Sequence, residues 1–230
     1  MSLLDYARPS LTTDMVLFRV KDYNSENSRH YGKKELQVLL IERENEPQIG
    51  VWSLPGGFVE IDEEIFDNVK RKLREKTGVE GDFYVEQLYT WGEVDRDSRG
   101  RVISVSFMAL CNEETYIEKS VDRKTEWFNV EDILSDTFGE LAFDHKKIIS
   151  YALERLQGKI DYTDIAFNLL PTHFTMRECQ NVYELILNKH IDNFRRKVSD
   201  YVESTGEYKQ GTQFRTAELY RVNKNRTSKF

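Results

Sequence analysis

The 230-residue chain predicts an α+β fold in two parts: strands gathered about one central helix, then a helix-turn-helix closed by a β-hairpin. Three observations predict it. Strand-like apolar runs alternate with turn-rich stretches around a glycine-helix-glycine segment, Gly56 to Glu80. Two helical patterns followed by two short strand patterns close the chain. Charge divides along the same line: residues 145–230 hold 15 Lys+Arg against 10 Asp+Glu, a net +5, and residues 1–144 hold 18 against 30, a net −12.

Taken in order, Thr12 to Val20 (TTDMVLFRV) reads as a strand and residues 22–34 as a polar, turn-rich loop. Glu35 to Arg43 (ELQVLLIER) is a second strand with an apolar centre. Pro55 fixes the approach to Gly56-Gly57. In the helix that follows, Asp62, Glu63 and Glu64 are expected in the first turn, where the macrodipole favours negative charge. Phe66, Val69 and Leu73 mark its core-facing stripe, and Gly78 is placed to end it at positive φ. Phe83 to Val94 and Arg101 to Cys111 predict a hairpin around DRDSRG. Glu126-Trp127-Phe128 begins a short strand, with a helix from about Val130. Asp144 to Gln157 is an amphipathic helix with Ile148, Ile149, Ala152, Leu153 and Leu156 on one side, and Gly158 is expected to end it. The domain transition falls here, giving units 1–150 and 151–230. No Gly/Ser-rich linker separates them, so the two are expected to pack together.

Thr175 to Asn188 opens on a Thr N-cap with Glu178 three residues on, a capping box. A second helix is predicted from Asp192 to Ser204, with Phe194, Val198 and Tyr201 facing inward and Gly206 beyond its end. EYKQ and ELYRV, joined by GTQFRT, form a hairpin. Helix, turn, helix and hairpin in that order read as a winged helix-turn-helix. Such a module presents the N-terminal part of its second helix to base edges, where arginine suits guanine and asparagine adenine. Asn193, Arg195, Arg196 and Lys197 are the candidate readers; Lys209, Gln213 and Arg215 are placed on the wing for phosphate. A basic triplet alone also fits a solvated helix face; the element order and the charge split favour DNA.

The helix after Gly57 carries a spacing of its own. Five residues separate Gly57 from Glu63 and seven separate Glu63 from Arg71; Leu73, Glu75, Gly78 and Val79 follow. This resembles the Nudix box, the loop-helix-loop signature of enzymes that cleave nucleoside diphosphates linked to another group. The resemblance covers about residues 10–145 and implies an α/β/α sandwich. In the full box, glutamates at the positions of Lys72, Glu75 and Lys76 share one helix face and hold magnesium against a diphosphate. Three carboxylates would place −3 on that face; Lys, Glu and Lys place +1. The resemblance therefore implies a Nudix-like scaffold that has lost metal-dependent hydrolysis. No catalytic residue, no metal and no cofactor is expected.

Both halves together resemble the Nudix-type transcriptional regulators, the NrtR-like family, in which a Nudix-like domain precedes a winged helix. The matching stretches are ARPSLTTDMVLF, LPGGFVE, FTMRECQNVYELIL, NFRRKV and AELYRV. The resemblance implies a ligand-responsive repressor that binds operator DNA as a homodimer. Known members sense ADP-ribose-related nucleotides and control NAD metabolism; a branch with a more degraded box responds to L-arabinose. Lys72 and Lys76 lean toward the sugar-responsive branch, with control of sugar utilisation genes. A sugar site needs carboxylates and an aromatic face, and Arg43, Phe58, Glu60, Trp91 and Glu93 are the candidates by position. Three readings stay open beside this one: an ADP-ribose-sensing regulator of NAD metabolism, a working hydrolase of ADP-ribose-like substrates, and a scaffold that binds a protein partner through its basic half.

Cys111 and Cys179 are isolated, which fits a reducing compartment. The N-terminus MSLLDYARPS lacks the basic and apolar regions of a signal peptide. No apolar run reaches the ~18 residues of a membrane span. A cytoplasmic protein without a membrane partner is expected.

Overall fold

The computed structural model describes residues 6–22, 34–210 and 216–223. Strand β1 (Ser10–Asp22) pairs in parallel with β7 (Val102–Cys111) and antiparallel with β2 (Lys34–Glu42). Around this centre the sheet runs β3 (Trp52–Ser53), β2, β1, β7, β6 (Tyr84–Trp91); β4 (Gly56–Phe58) joins β1, and β9 (Thr125–Asn129) joins β2. A separate ribbon joins β5 (Val79–Gly81) to β8 (Tyr116–Glu118).

Strand periodicity divides the core in two. Met15 and Leu17 of β1 face α1 (Ile65–Thr77), packing with Val69, Leu73, Phe107 and Ala109. Val16 and Phe18 face the other way, onto α2 (Val130–Leu134) and α3 (His145–Lys159), with Ile133, Ile149 and Leu156. Helices cover both faces, which is why β1, β2 and β7 read as continuous apolar runs. The sandwich expected from the sequence is present.

Beyond α3 come a 3₁₀ turn (Ile165–Leu169), β10 (Phe174–Thr175), α4 (Met176–Leu187), α5 (Phe194–Val198), β11 (Val202–Gln210) and β12 (Thr216–Val222). The last three-stranded sheet runs β10-β12-β11. The capping box forms: the Glu178 amide donates to Thr175 Oγ1 at 3.2 Å, and the Thr175 amide donates to Glu178 Oε2 at 2.8 Å. Asn188 closes α4 in the left-handed conformation. A winged helix follows the sandwich. One apolar cluster runs from Val16 and Phe18 through Ile149 and Leu156 to Phe167, Tyr183 and Phe194. Two polar ties reinforce the seam. Gln157 Nε2 donates to the Ile186 carbonyl at 2.9 Å, and Asn112 Nδ2 donates to the Leu170 carbonyl at 2.7 Å.

Several element ends differ from expectation. Helix α1 starts at Ile65 with Glu64 as its N-cap, so Asp62 and Glu63 precede it. Val69 and Leu73 are buried, whereas Phe66 stays partly exposed, its ring edge-on to Phe107. Gly78 ends α1 at φ 71° as expected; a Cβ there would lie 1.9 Å from the Lys119 carbonyl oxygen, so only glycine fits. Helix α3 runs through Gly158 to Lys159, because packing of Leu156 and Ile160 outweighs the propensity of one glycine. The second helix of the C-terminal unit spans only Phe194–Val198, since Val202 to Ser204 pair with β12 instead. Gly206 lies in β11 at φ 76°, within a register shift between Ser204 and Tyr208. No helix among the described residues is long and apolar enough to cross a membrane.

Candidate functional site

The LPGG turn brings β4 against β1 so closely that a Cβ on Gly56 would sit 2.1 Å from the Thr13 carbonyl oxygen. This contact sets one wall of a cleft of about 240 Å³ between the box helix, the β6–β7 connection and the segment that enters α3. Arg43, Lys76, Arg96, Arg99 and Arg123 line it, together with Asp14, Asp97, Phe58, Phe143 and His145.

Most of these charges are matched. Arg99 lies over Asp97, donating Nη2 at 2.6 Å and Nε at 3.0 Å, and Arg123 pairs with Glu44. Arg96 makes a two-pronged pair with Asp144 at 2.6 and 2.9 Å and lies 3.8 Å from Asp14. Asp14 also accepts from Ser104 Oγ at 2.5 Å. His145 is buried, and its Nδ1 accepts the Leu54 amide at 2.9 Å. Burial pushes its pKa down, against the pull of Asp14, so the ring there is the neutral base.

Two cations are left over. Among the described residues Arg43 donates only to the carbonyls of Pro47 and Asn45, at 2.9 and 3.2 Å. Burial, and then the nearness of Arg99, lower its pKa. Lys76 has no hydrogen-bond or ion-pair partner among the described residues, and burial followed by repulsion from Arg123 pushes its ammonium down to about 8. Above them, Phe143 sits between two guanidinium groups, Arg43 at 4.7 Å and Arg99 at 5.4 Å from its ring centre. It is held at φ 54°, a conformation costing about 1–3 kcal/mol in a non-glycine residue and found mostly where function demands it. Arg99 also covers Phe58 at 5.2 Å.

The box itself is knotted through Glu63. That carboxylate accepts Arg71 Nε and Nη2, both at 2.6 Å, and Asn68 Nδ2 at 2.7 Å. The Arg71 guanidinium holds its pKa down at about 2. Buried Asn68 also donates to the Phe58 carbonyl and accepts from Thr13 Oγ1, so loop, helix and β1 are one unit. Glu75 pairs with Arg71 at 3.1 Å and lies 3.9 Å from Lys72.

Of the five ligand candidates, Arg43 and Phe58 line this cleft. Glu60 is exposed, 4.0 Å from Arg71. Trp91 is buried and donates to Ser106 Oγ, and Glu93 pairs with Lys147; both border a different hollow beside Tyr89 and Tyr151. A register shift interrupts β6 between Gln87 and Tyr89. The sequence reasoning did not single out Arg99, Asp97, Arg123, Phe143 or His145. The charge density of DRDSRG, read only as a turn, was the available signal. A larger hollow of about 690 Å³ lies at the seam between Leu36, Leu153 and α4. It has no aromatic wall and mixes Lys34 and Arg177 with Glu35, Glu131 and Glu184, so the cleft is better suited to an anion.

On the winged helix, the candidate readers differ in how they are held. Arg195 donates to the Tyr220 hydroxyl at 2.7 Å, Lys197 pairs with Asp161 at 2.5 Å, and Lys209 pairs with Glu178 at 2.7 Å. Arg196 and Asn193 are exposed, and the Arg196 guanidinium has no partner among the described residues. Asn193 is the left-handed N-cap of α5, with no side-chain cap bond. Gln213 and Arg215 lie outside the described residues.

A cationic cleft on a Nudix scaffold, sharing its core with a winged helix, defines a two-domain regulator rather than a free-standing hydrolase fold. Known proteins agree. Residues 30–152 match the NUDIX domain, and residues 166–222 match the NrtR DNA-binding winged helix domain. The chain is 38% identical to the ADPR responsive transcriptional repressor NtrR of Acinetobacter baylyi, over 94% of this chain and 83% of that one. The structure of Shewanella oneidensis NrtR complexed with a 27mer DNA superposes with a TM-score of 0.76 at 37% identity, covering 93% of each chain. The NUDIX domain of the same protein complexed with ADP ribose covers 68% of this chain and 94% of its own, at 36% identity and a TM-score of 0.54. The chain belongs to the NrtR family of Nudix-type transcriptional regulators. The L-arabinose expectation finds no support among these relatives, whose named ligand is ADP-ribose.

Proposed function

We propose that the chain is a DNA-binding transcriptional repressor that releases its operator when ADP-ribose enters the cationic cleft. The observation that carries this reading is the pair of cations, Arg43 and Lys76, that no carboxylate among the described residues neutralises. The diphosphate of ADP-ribose offers one negative charge on each phosphate, and Phe58 and Phe143 offer flat apolar faces to its base or sugars. A neutral pentose such as L-arabinose gives those cations nothing to pair with. The names of the relatives support the same ligand.

In this reading residues 1–150 sense the effector and residues 151–230 read DNA, within the cytoplasm. Arg196 and Asn193 approach bases, while Arg195, Lys197 and Lys209 exchange their present partners for phosphates. One α5 covers few base pairs, so a homodimer on a two-fold related operator is expected. The domain senses its ligand without hydrolysing it, because the box presents lysines at two of its three metal-holding positions.

A gel shift of the full chain on the DNA upstream of its own gene tests this. ADP-ribose should dissolve the shifted band and L-arabinose should leave it. A band released by L-arabinose alone would restore the sugar reading; AMP production from ADP-ribose at enzymic rates would restore the hydrolase.

A further inference from the structure

The residues at the box do not fit a divalent ion. Magnesium takes oxygen ligands in near-octahedral geometry. Lysines occupy two of the three positions, and Glu75, the remaining carboxylate, is held by Arg71 and Lys72. In the cleft, Asp97 is taken by Arg99 and Asp14 by Ser104 and Arg96. Among the described residues no three His, Cys, Asp or Glu side chains gather in a metal-holding group.

The geometry points to Lys76 as a built-in cation standing in for that metal, so that ADP-ribose binds through its diphosphate without any divalent ion. This rests on the reading of the cleft as the ADP-ribose site. Lys76 lines the cleft and reaches it with its ammonium unpaired. Its backbone is fixed: Leu73 and Thr77 on either side are buried, and Thr77 Oγ1 donates to the Leu73 carbonyl at 2.7 Å. Arg43, which has no carboxylate partner among the described residues, supplies the second charge. Arg43 and Lys76 thus offer one cation to each phosphate. A tethered ammonium offers charge and hydrogen bonds but no coordination site for an attacking water. The diphosphate is therefore gripped and left intact, and the response follows ADP-ribose without following the magnesium level. The ammonium form is the gripping form. With its pKa at about 8 in the empty cleft, affinity should fall as pH rises beyond that value.

Calorimetry of the full chain with ADP-ribose, in EDTA and then in millimolar Mg²⁺, tests this. The parent should bind equally in both, and more weakly as pH rises past about 8. Lys76→Gln should lose roughly tenfold or more in EDTA and lose that pH dependence. Lys76→Glu should lose more in EDTA and recover part of it with Mg²⁺, since a carboxylate then returns to the box. Parent binding that requires Mg²⁺, or Lys76→Gln binding like the parent in EDTA, overturns the inference while the effector reading stands. Absence of parent binding in both media removes the effector reading and this inference with it.

Discussion

In the cleft, Arg43 and Lys76 have no carboxylate partner among the described residues, whereas on the winged helix Arg195, Lys197 and Lys209 are each tied to a neighbour. The two basic surfaces of one chain are thus prepared differently. The cleft holds its positive charges apart, at the cost of depressing the pKa of Lys76, and so is organised for an anion before one arrives. On the DNA face Arg196 is free among the described residues, while Arg195, Lys197 and Lys209 must each give up a present partner for a phosphate. Exposed pairs are worth about 0–1 kcal/mol, so that exchange is cheap. A small ligand binds an organised pocket, and a long polyanion recruits side chains one at a time.

The largest expected effect comes from cutting the core that joins the two surfaces. Phe194 is buried, with its ring 5.1 Å from that of Tyr183 in the shared cluster. Phe194→Ala should cost about 3–5 kcal/mol in urea unfolding and abolish operator binding. A loss below ~1 kcal/mol would mean that α5 is not anchored through this ring. Next is Arg43→Ala, which removes one of the two unmatched cations. It should weaken ADP-ribose binding by about 1.5–3 kcal/mol and leave effector-free operator binding unchanged. Equal loss of both would show that Arg43 serves the fold rather than the ligand.

On the DNA face the comparison predicts unequal roles for Arg196 and Lys209. Arg196→Ala should cost about 1–3 kcal/mol and relax specificity at one base position. Lys209→Ala should weaken all sequences alike and lower the salt slope by about one unit. Anisotropy titrations across salt separate the two, and identical profiles would contradict the assignment. The smallest effect is a pH term. The Glu63 pKa lies at about 2 instead of its ordinary 4.5, so its stabilising contribution is present above about 4.5 and lost as pH falls towards about 2. Glu63→Gln should flatten the melting profile in that window. A slope that persists in the variant would assign it to other carboxylates.

Local chemistry made much of this readable in the sequence. The box spacing located α1 and its Gly78 cap, and Thr175 with Glu178 located the start of α4. What escaped depended on contacts between distant residues. Tertiary packing carried α3 through Gly158, and pairing with β12 drew Val202 to Ser204 out of the expected second helix. The cleft gathers Arg43, Lys76, Arg99, Arg123 and Phe143 from five separate segments, and nothing in the spacing of any one segment announces the others. Trp91 and Glu93 border a second hollow beside Tyr89 and Tyr151 rather than this cleft, a placement that only the packing of β6 on α3 reveals. The lean toward a sugar came from the metal ligands that Lys72 and Lys76 replace; that the Lys76 ammonium would line an anion-sized cleft is a matter of tertiary placement.

The central claim is that the cleft and the DNA face are coupled through one core. Its most direct test is the affinity of the full chain for ADP-ribose with and without saturating operator DNA. Coupling is reciprocal, so the factor by which ADP-ribose weakens DNA binding must equal the factor by which DNA weakens ADP-ribose binding. The account predicts a common factor of roughly 5–150. ADP-ribose binding with the same affinity to the free and the DNA-bound protein would contradict it.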